Sequence, residues 1–152
     1  MTKTEGLSQF VSFRLDQKHF AVPLVHVERA LPMIAVTPAP GAPPWLAGLI
    51  DLSGRVIPVV DLRRRFGQES REPALDDRLL VVEAAGQMLA LMVDEVSEVL
   101  EIPAHQVDRS SSLVSQSDLV AAVVRRDEGL ILVLDADKLW PAEAQAWQSL
   151  TR

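Results

Sequence analysis

Asp61 and Asp135 each close an apolar run, PVVD and LVLD, and two carboxylates at matching strand ends are the pairing that general acid/base chemistry uses. That chemistry requires both to face one pocket. A carboxylate just after a strand has a commoner use, accepting backbone N–H bonds at the start of the next helical turn. His19, His26 and His105 do not share a metal-binding spacing, and none lies in an H-x-x-x-H or carboxylate-rich motif. Ser110, Ser111 and Ser112 lack the G-x-S-x-G setting of a nucleophile, and no glycine-rich loop could cradle phosphate. Arg63, Arg64 and Arg65 could bind phosphate or an acidic patch but read first as an exposed charged edge. Trp45, Trp140 and Trp147 read as core or boundary packing before interface anchors. These residues indicate a binding module with no catalytic constellation, no metal site and no cofactor.

Composition narrows the partners. Lys+Arg 15 against Asp+Glu 21 gives a net charge of -6, which repels nucleic acid and anionic membranes at long range. With Cys 0 there is neither a disulfide framework nor a thiolate site. The N-terminal MTKTEGLSQF lacks the apolar core of a signal peptide, and the longest apolar stretch, Leu79 to Val93, is interrupted by Glu83, Gly86 and Gln87. It falls short of the roughly 20 apolar residues of a membrane helix. A cytoplasmic protein without direct membrane insertion is expected.

The elements that position these residues are mostly strands. Val11, Phe13 and Leu15 alternate with polar residues, and Phe20, Val22 and Leu24 alternate again after a turn at Asp16 to His19. Pro23 places that return strand at an edge or on a non-bonding position. Val27, Ala30 and Leu31, and later Val96, Val99 and Leu100, follow helical spacing and predict short helical turns. Thr37 to Pro44 is a proline-rich extended connection. Three hairpins follow: Gly48 to Phe66 around Ser53-Gly54, Leu79 to Val93 around Ala85-Gly86, and Leu119 to Leu134 around Asp127 to Gly129. Gln68 to Asp77 and Pro103 to Ser117 read as loops. Residues 1–9 are expected as a mobile tail, 10–140 as the domain, and 141–152 as an amphipathic C-terminal helix begun by Pro141.

The chain repeats itself. Phe20 to Leu31 overlays Leu89 to Leu100 without a gap, and Gly48 to Phe66 overlays Ala122 to Trp140, so that Asp61 meets Asp135. Two copies of a short five-stranded pattern predict a mainly β protein of two small barrels packed together, since neither copy has enough apolar residues to stand alone.

In three segments the sequence resembles the CheW-like adaptors of bacterial chemosensory systems. Gly48, Leu52, Gly54, Pro58, Asp61, Leu62 and Arg63 fit the family's G-V-x-N-L-R-G-x-x-x-P-V-x-D-L-R signature. FAVPLVHVERAL and LMVDEVSEVL are similar to two further family segments, with Val93, Asp94 and Val96 fitting V-D-x-V. The likeness runs from Phe10 to about Leu139. It implies two intertwined five-stranded SH3-like β-barrels that exchange their N-terminal strands, with short helical turns. It also implies a scaffold that bridges the cytoplasmic helical tip of a chemoreceptor to the regulatory domain of a CheA-type histidine kinase, at receptor clusters on the inner face of the membrane. The positions matching the family's receptor groove are Val27, Ala30, Gly48, Gly54, Leu79 and Leu80, a helix-in-groove mode in which glycine allows close approach. Two departures stand out. Asp51 and Ser53 replace the usual Asn and Arg of N-L-R-G, and Arg29 replaces a usual Glu, so Arg29, Asp51 and Ser53 are expected to set specificity, for example toward a non-flagellar pathway.

Overall fold

The computed structural model describes residues 7–69, 71–110, 112, 114, 118–141 and 144. Eleven strands carry the fold: β1 Leu7–Leu15, β2 Lys18–Pro23, β3 Val27–Pro32, β4 Leu46–Leu52, β5 Arg55–Asp61, β6 Arg78–Ala84, β7 Gln87–Val93, β8 Glu95–Pro103, β9 Val107–Asp108, β10 Val120–Arg126 and β11 Gly129–Leu134. Among the described residues the strands are joined by the α-helical turn α1 Leu62–Arg65 and by 3-10 turns at Leu24–His26, Ala104–Gln106 and Ala136–Leu139.

The strands form two sheets, β8-β1-β2-β11-β10-β9 and β3-β6-β7-β5-β4. Under the sequence repeat, β2 and β3 correspond to β7 and β8, and β4, β5 and α1 to β10, β11 and the turn Ala136–Leu139. The structure extends the correspondence to β1 and β6. Apart from β9, each sheet then has the same order by repeat position: third, first, second, fifth, fourth. The first two strands come from one repeat and the other three from its partner, so the N-terminal hairpins are exchanged, as the resemblance implied. The parallel contact that seals the exchange occurs in both sheets, β5 against β7 and β11 against β2.

Alternation along the strands divides the apolar side chains among three cores. Phe10, Ala21, Leu100, Ile102 and Val133 fill the first sheet's interior. Leu79, Ala90 and Val59, the counterparts of Phe10, Ala21 and Val133, fill the second together with Ile57 and Met92. The largest cluster, with Phe13, Phe20, Leu62, Leu91, Trp45 and Trp140, lies between the sheets. Each buried Val, Leu, Ile, Phe or Met among them contributes about 1.5–3 kcal/mol relative to exposure. Because the central cluster draws on both sheets, neither buries its outer face without the other.

The turns follow the sequence signals. Ser53-Gly54 and Ala85-Gly86 both take positive φ, at 54° and 85° and at 51° and 78°, the backbone that suits a two-residue hairpin to the twist of its strands. Pro23 closes β2, where loss of an N–H costs the ladder least, although the strand itself runs between β1 and β11.

Two expectations are corrected. Val27, Ala30 and Leu31, and Val96, Val99 and Leu100, lie in strands β3 and β8 rather than in helical turns. A bulge explains the misleading spacing. The β3–β6 register shifts between Val27 and Arg29, so an extra residue displaces the alternation and apolar side chains recur at i and i+3. The β1–β8 ladder has a matching shift between Val11 and Phe13. Strand β1 also begins at Leu7, earlier than expected, because Leu7, Ser8 and Gln9 pair with Pro103, Ile102 and Glu101. The expected C-terminal helix, with Trp147, falls almost wholly outside the described residues.

Candidate partner-docking site

Strand β3 is an outer strand of the second sheet, so among the described residues one of its backbone edges has no strand beside it. Ala30, exposed on this strand, lines an open cleft between the two sheets with Leu31, Pro32 and Val96. Arg14, Asp76, Arg78, Asp94 and Glu95 form its walls. Val27 is half-buried and packs against the central cluster. Small apolar side chains along an open cleft suit the face of a helix, and charged walls suit its polar flanks.

The other expected groove positions divide into surface and support. Ser53 and Gly54 are exposed at the tip of the β4–β5 turn, held by Asp51, whose Oδ1 accepts the Gly54 N–H at 2.9 Å. The turn reaches β3 through Glu28, which pairs with Arg55 at 3.5 Å and with Arg29 at 3.9 Å. Arg29, Asp51, Ser53 and Gly54 thus stand at one end of the second sheet, and none of them lines the cleft that holds Ala30. Leu79 and Leu80 have 0% exposure; they pair with Leu31 and Ala30 in the ladder and support the edge strand from behind. Gly48 is buried too. A Cβ there would lie 2.2 Å from the Thr37 carbonyl oxygen, because Thr37 and Leu49 exchange backbone hydrogen bonds along β4. The space that glycine leaves is filled by the chain's own proline-rich connection rather than by a visiting helix.

Asp61 and Asp135 take the structural role. Asp61 Oδ1 accepts the N–H groups of Arg63 and Arg64 at the start of α1, and Asp135 Oδ1 accepts that of Asp137 at the start of its 3-10 turn. Each caps the turn that follows its own strand, which leaves the reading of a shared acid/base pair without support.

The Arg63–Arg65 edge is also corrected. Only Arg64 is exposed. The Arg65 guanidinium lies 5.5 Å from the centre of the Trp45 ring and donates to the Lys138 carbonyl at 2.9 Å. The Arg63 side chain, 8% exposed, donates to Asp94 at 2.7 Å and Asp16 at 2.8 Å. Asp94 is the hub: it also accepts from Arg71 at 2.7 Å, from the Asp16 amide at 2.7 Å and from Arg14 at 3.5 Å. Burial alone would raise the Asp94 carboxyl, but the Arg63 and Asp16 hydrogen bonds and the charges of Arg63 and Arg71 outweigh it and hold the group below its ordinary value. Asp77 follows the same logic: burial opposes ionisation, while Arg71 and the Ala74 amide prevail. The hub was missed in the sequence, although it joins two of its quoted motifs, the D-L-R of Asp61 to Arg63 and the V-D of Val93-Asp94.

Comparison with known proteins matches this arrangement as a whole. Residues 9–144 match the model of the CheW-like domain. The chemotaxis protein CheW of Rhizobium meliloti is 26% identical over 142 residues, covering 92% of this chain and 92% of that protein. CheW of Thermotoga maritima is 29% identical over 140 residues, 91% of this chain and 92% of its own length. Protein PilI of Pseudomonas aeruginosa is 31% identical over 93 residues, 61% of this chain and 52% of that protein. The crystal structure of the scaffolding protein TtCheW from Thermoanaerobacter tengcongensis superposes with a TM-score of 0.82 at 27% identity, covering 90% of this chain and 94% of that one. With two exchanged sheets, a D-L-R arginine joined to a V-D aspartate and a domain match spanning nearly all of its length, the chain belongs to the CheW-like family of chemotaxis scaffold proteins.

Proposed function

We propose that this protein is a non-enzymatic adaptor that couples the cytoplasmic helical tip of a chemoreceptor to the regulatory domain of a CheA-type histidine kinase. The supporting observation is the match of nearly the whole chain to the CheW-like domain, with a scaffolding protein of the same two-sheet architecture among its structural neighbours. The receptor helix is assigned to the surface of Val27 and Ala30, backed by Gly48, Leu79 and Leu80. Arg29, Asp51, Ser53 and Gly54 supply polar contacts at its end. The kinase domain is assigned to the barrel ends. In this reading the protein works in the cytoplasm, recruited to receptor clusters at the inner face of the membrane.

Purified protein mixed with the receptor and kinase of its own organism tests the proposal. Both should be retained on immobilised adaptor, and kinase autophosphorylation should become receptor-dependent. Retention of neither would overturn it. Retention of both without any change in kinase activity would favour a docking module that localises chemosensory proteins without coupling them.

A variant, non-flagellar pathway rests on Arg29 and Ser53, which replace residues usual at these positions. Ser53→Arg should weaken binding to the protein's own receptor; unchanged binding would remove that support.

A further inference from the structure

The loop before β6 holds a leucine in water by unusually firm means. Leu75 is 99% exposed, yet its turn is fixed. The Asp77 amide donates to the Ala74 carbonyl at 3.0 Å, and Asp77 Oδ2 accepts the Ala74 amide at 2.7 Å. Asp77 is itself 6% exposed and is gripped by Arg71 through both carboxylate oxygens, at 2.8 and 2.9 Å. Arg71 then reaches Asp94, so the turn is anchored to the ionic hub between the sheets. A free loop would let Leu75 fold back onto apolar surface; this one is preorganised to present it, which lowers the ordering cost of binding.

We propose that the turn Ala74–Asp77 is a docking knob, with Leu75 inserting into the apolar groove between two antiparallel helices of the partner. The proposal rests on the adaptor reading and names a second contact for the same receptor tip. A groove between packed helices is lined by side chains spaced to receive one leucine. The knob is continuous with the cleft, since Asp76 and Arg78, next to it in the chain, line the same cleft as Ala30. Charge selects the flanks. Between Phe66 and Arg78, Glu69, Glu72 and Asp76 are exposed and among the described residues their carboxylates form no ion pair, against one such cation in that stretch, Arg78. The partner groove is therefore bordered by Lys or Arg, within range of a chain whose net charge is -6.

Titration of the full-length protein with the helical-hairpin fragment of a receptor from its own organism tests this. Leu75→Asp should weaken binding at least about tenfold while leaving the melting temperature and kinase-domain affinity unchanged, since the side chain packs against nothing. Asp77→Asn, which loosens the turn without touching the partner, should weaken binding less and mainly through slower association. Equal affinity of wild type and Leu75→Asp would overturn the knob, as would loss of kinase binding with receptor binding intact. If the wild type itself failed to bind the fragment, the adaptor reading would fail first and the knob with it.

Discussion

The two seams between the exchanged halves occupy equivalent places and are closed by different physics. In the first, Arg14, Asp16, Asp94, Glu95 and Arg63 meet, with Arg71 reaching in from its loop. The repeat places Glu83, Ala85, Val25, His26 and Asp137 at the corresponding positions of the second. There Asp137 accepts the Ala85 amide at 3.0 Å, His26 Nδ1 lies 3.0 Å from the Glu83 carbonyl, and Val25 stands 87% exposed where the first seam has its hub. Both seams tie down the positive-φ residue of a hairpin turn, Asp16 or Ala85, through a carboxylate from another element. Duplication supplied the frame, and divergence made one copy an ionic lock while the other relies on single hydrogen bonds. A buried ion network gives geometry more surely than net stability, because its desolvation cost offsets much of its attraction.

The largest test of that contrast is Asp94→Ala. It leaves the Arg63 guanidinium buried with only Asp16 as an acidic partner, and a loss of about 3 kcal/mol is expected in urea denaturation. Val25→Ala, at the equivalent point of the other seam, should stay within about 0.5 kcal/mol of wild type. Similar losses in the two variants would erase the distinction.

Gly48→Ala asks whether the sheets differ at their β-bulges as well. The register shifts between Leu46 and Gly48 in one sheet and between Val120 and Ala122 in the other, so Gly48 and Ala122 are equivalent. Only Gly48, at φ +153°, has the Thr37 backbone against it. The added methyl should cost about 2–3 kcal/mol, whereas Ala122→Gly should cost about 1 kcal/mol or less through chain entropy. Thermal melts of the pair measure both.

The caps give a smaller contrast. Asp61 holds two amide groups and Asp135 holds one, so Asp61→Ala should cost about 1–2 kcal/mol and Asp135→Ala about 1 kcal/mol. The reverse order in denaturant midpoints would show that something other than the caps dominates.

Acid titration of wild type and Asp94→Ala gives the smallest contrast in the slope of stability against pH near neutral pH and the clearest below about pH 4. Asp94 and Asp77 have carboxyls held below their ordinary value, so they bind protons more readily in the unfolded chain. Their contribution is complete above the unfolded value of about 3.9 and fades as pH falls through the lower, folded values. Stability should therefore decline more steeply below about pH 4 in wild type than in Asp94→Ala. Parallel acid limbs would show that the hub carboxylate is not the group responsible.

Legibility in the sequence followed the range of the interaction. Ser53-Gly54 and Ala85-Gly86 are local signals, and both placed their hairpins correctly. The overlay of Asp61 on Asp135 exposed the duplication, and from it the pairing of two similar sheets. Strand β3 was misread because its bulge imitates helical spacing over a short window. Arg63 was misread because three consecutive arginines look solvated until Asp94 arrives from a distant hairpin. Gly48 was seen as special, but the atom that requires it belongs to Thr37, and sequence spacing does not reveal that contact.

The exchange of hairpins also sets a timetable for synthesis. β1 and β2 are complete by Pro23, yet their sheet neighbours β8 and β11 end at Pro103 and Leu134. At about 5–20 residues per second the first hairpin must wait several seconds on the ribosome with its apolar face uncovered. The second sheet, whose strands all lie between Val27 and Val93, can assemble during that interval. It then offers the waiting hairpin a surface, so the order of emergence makes the second sheet the template on which the first closes.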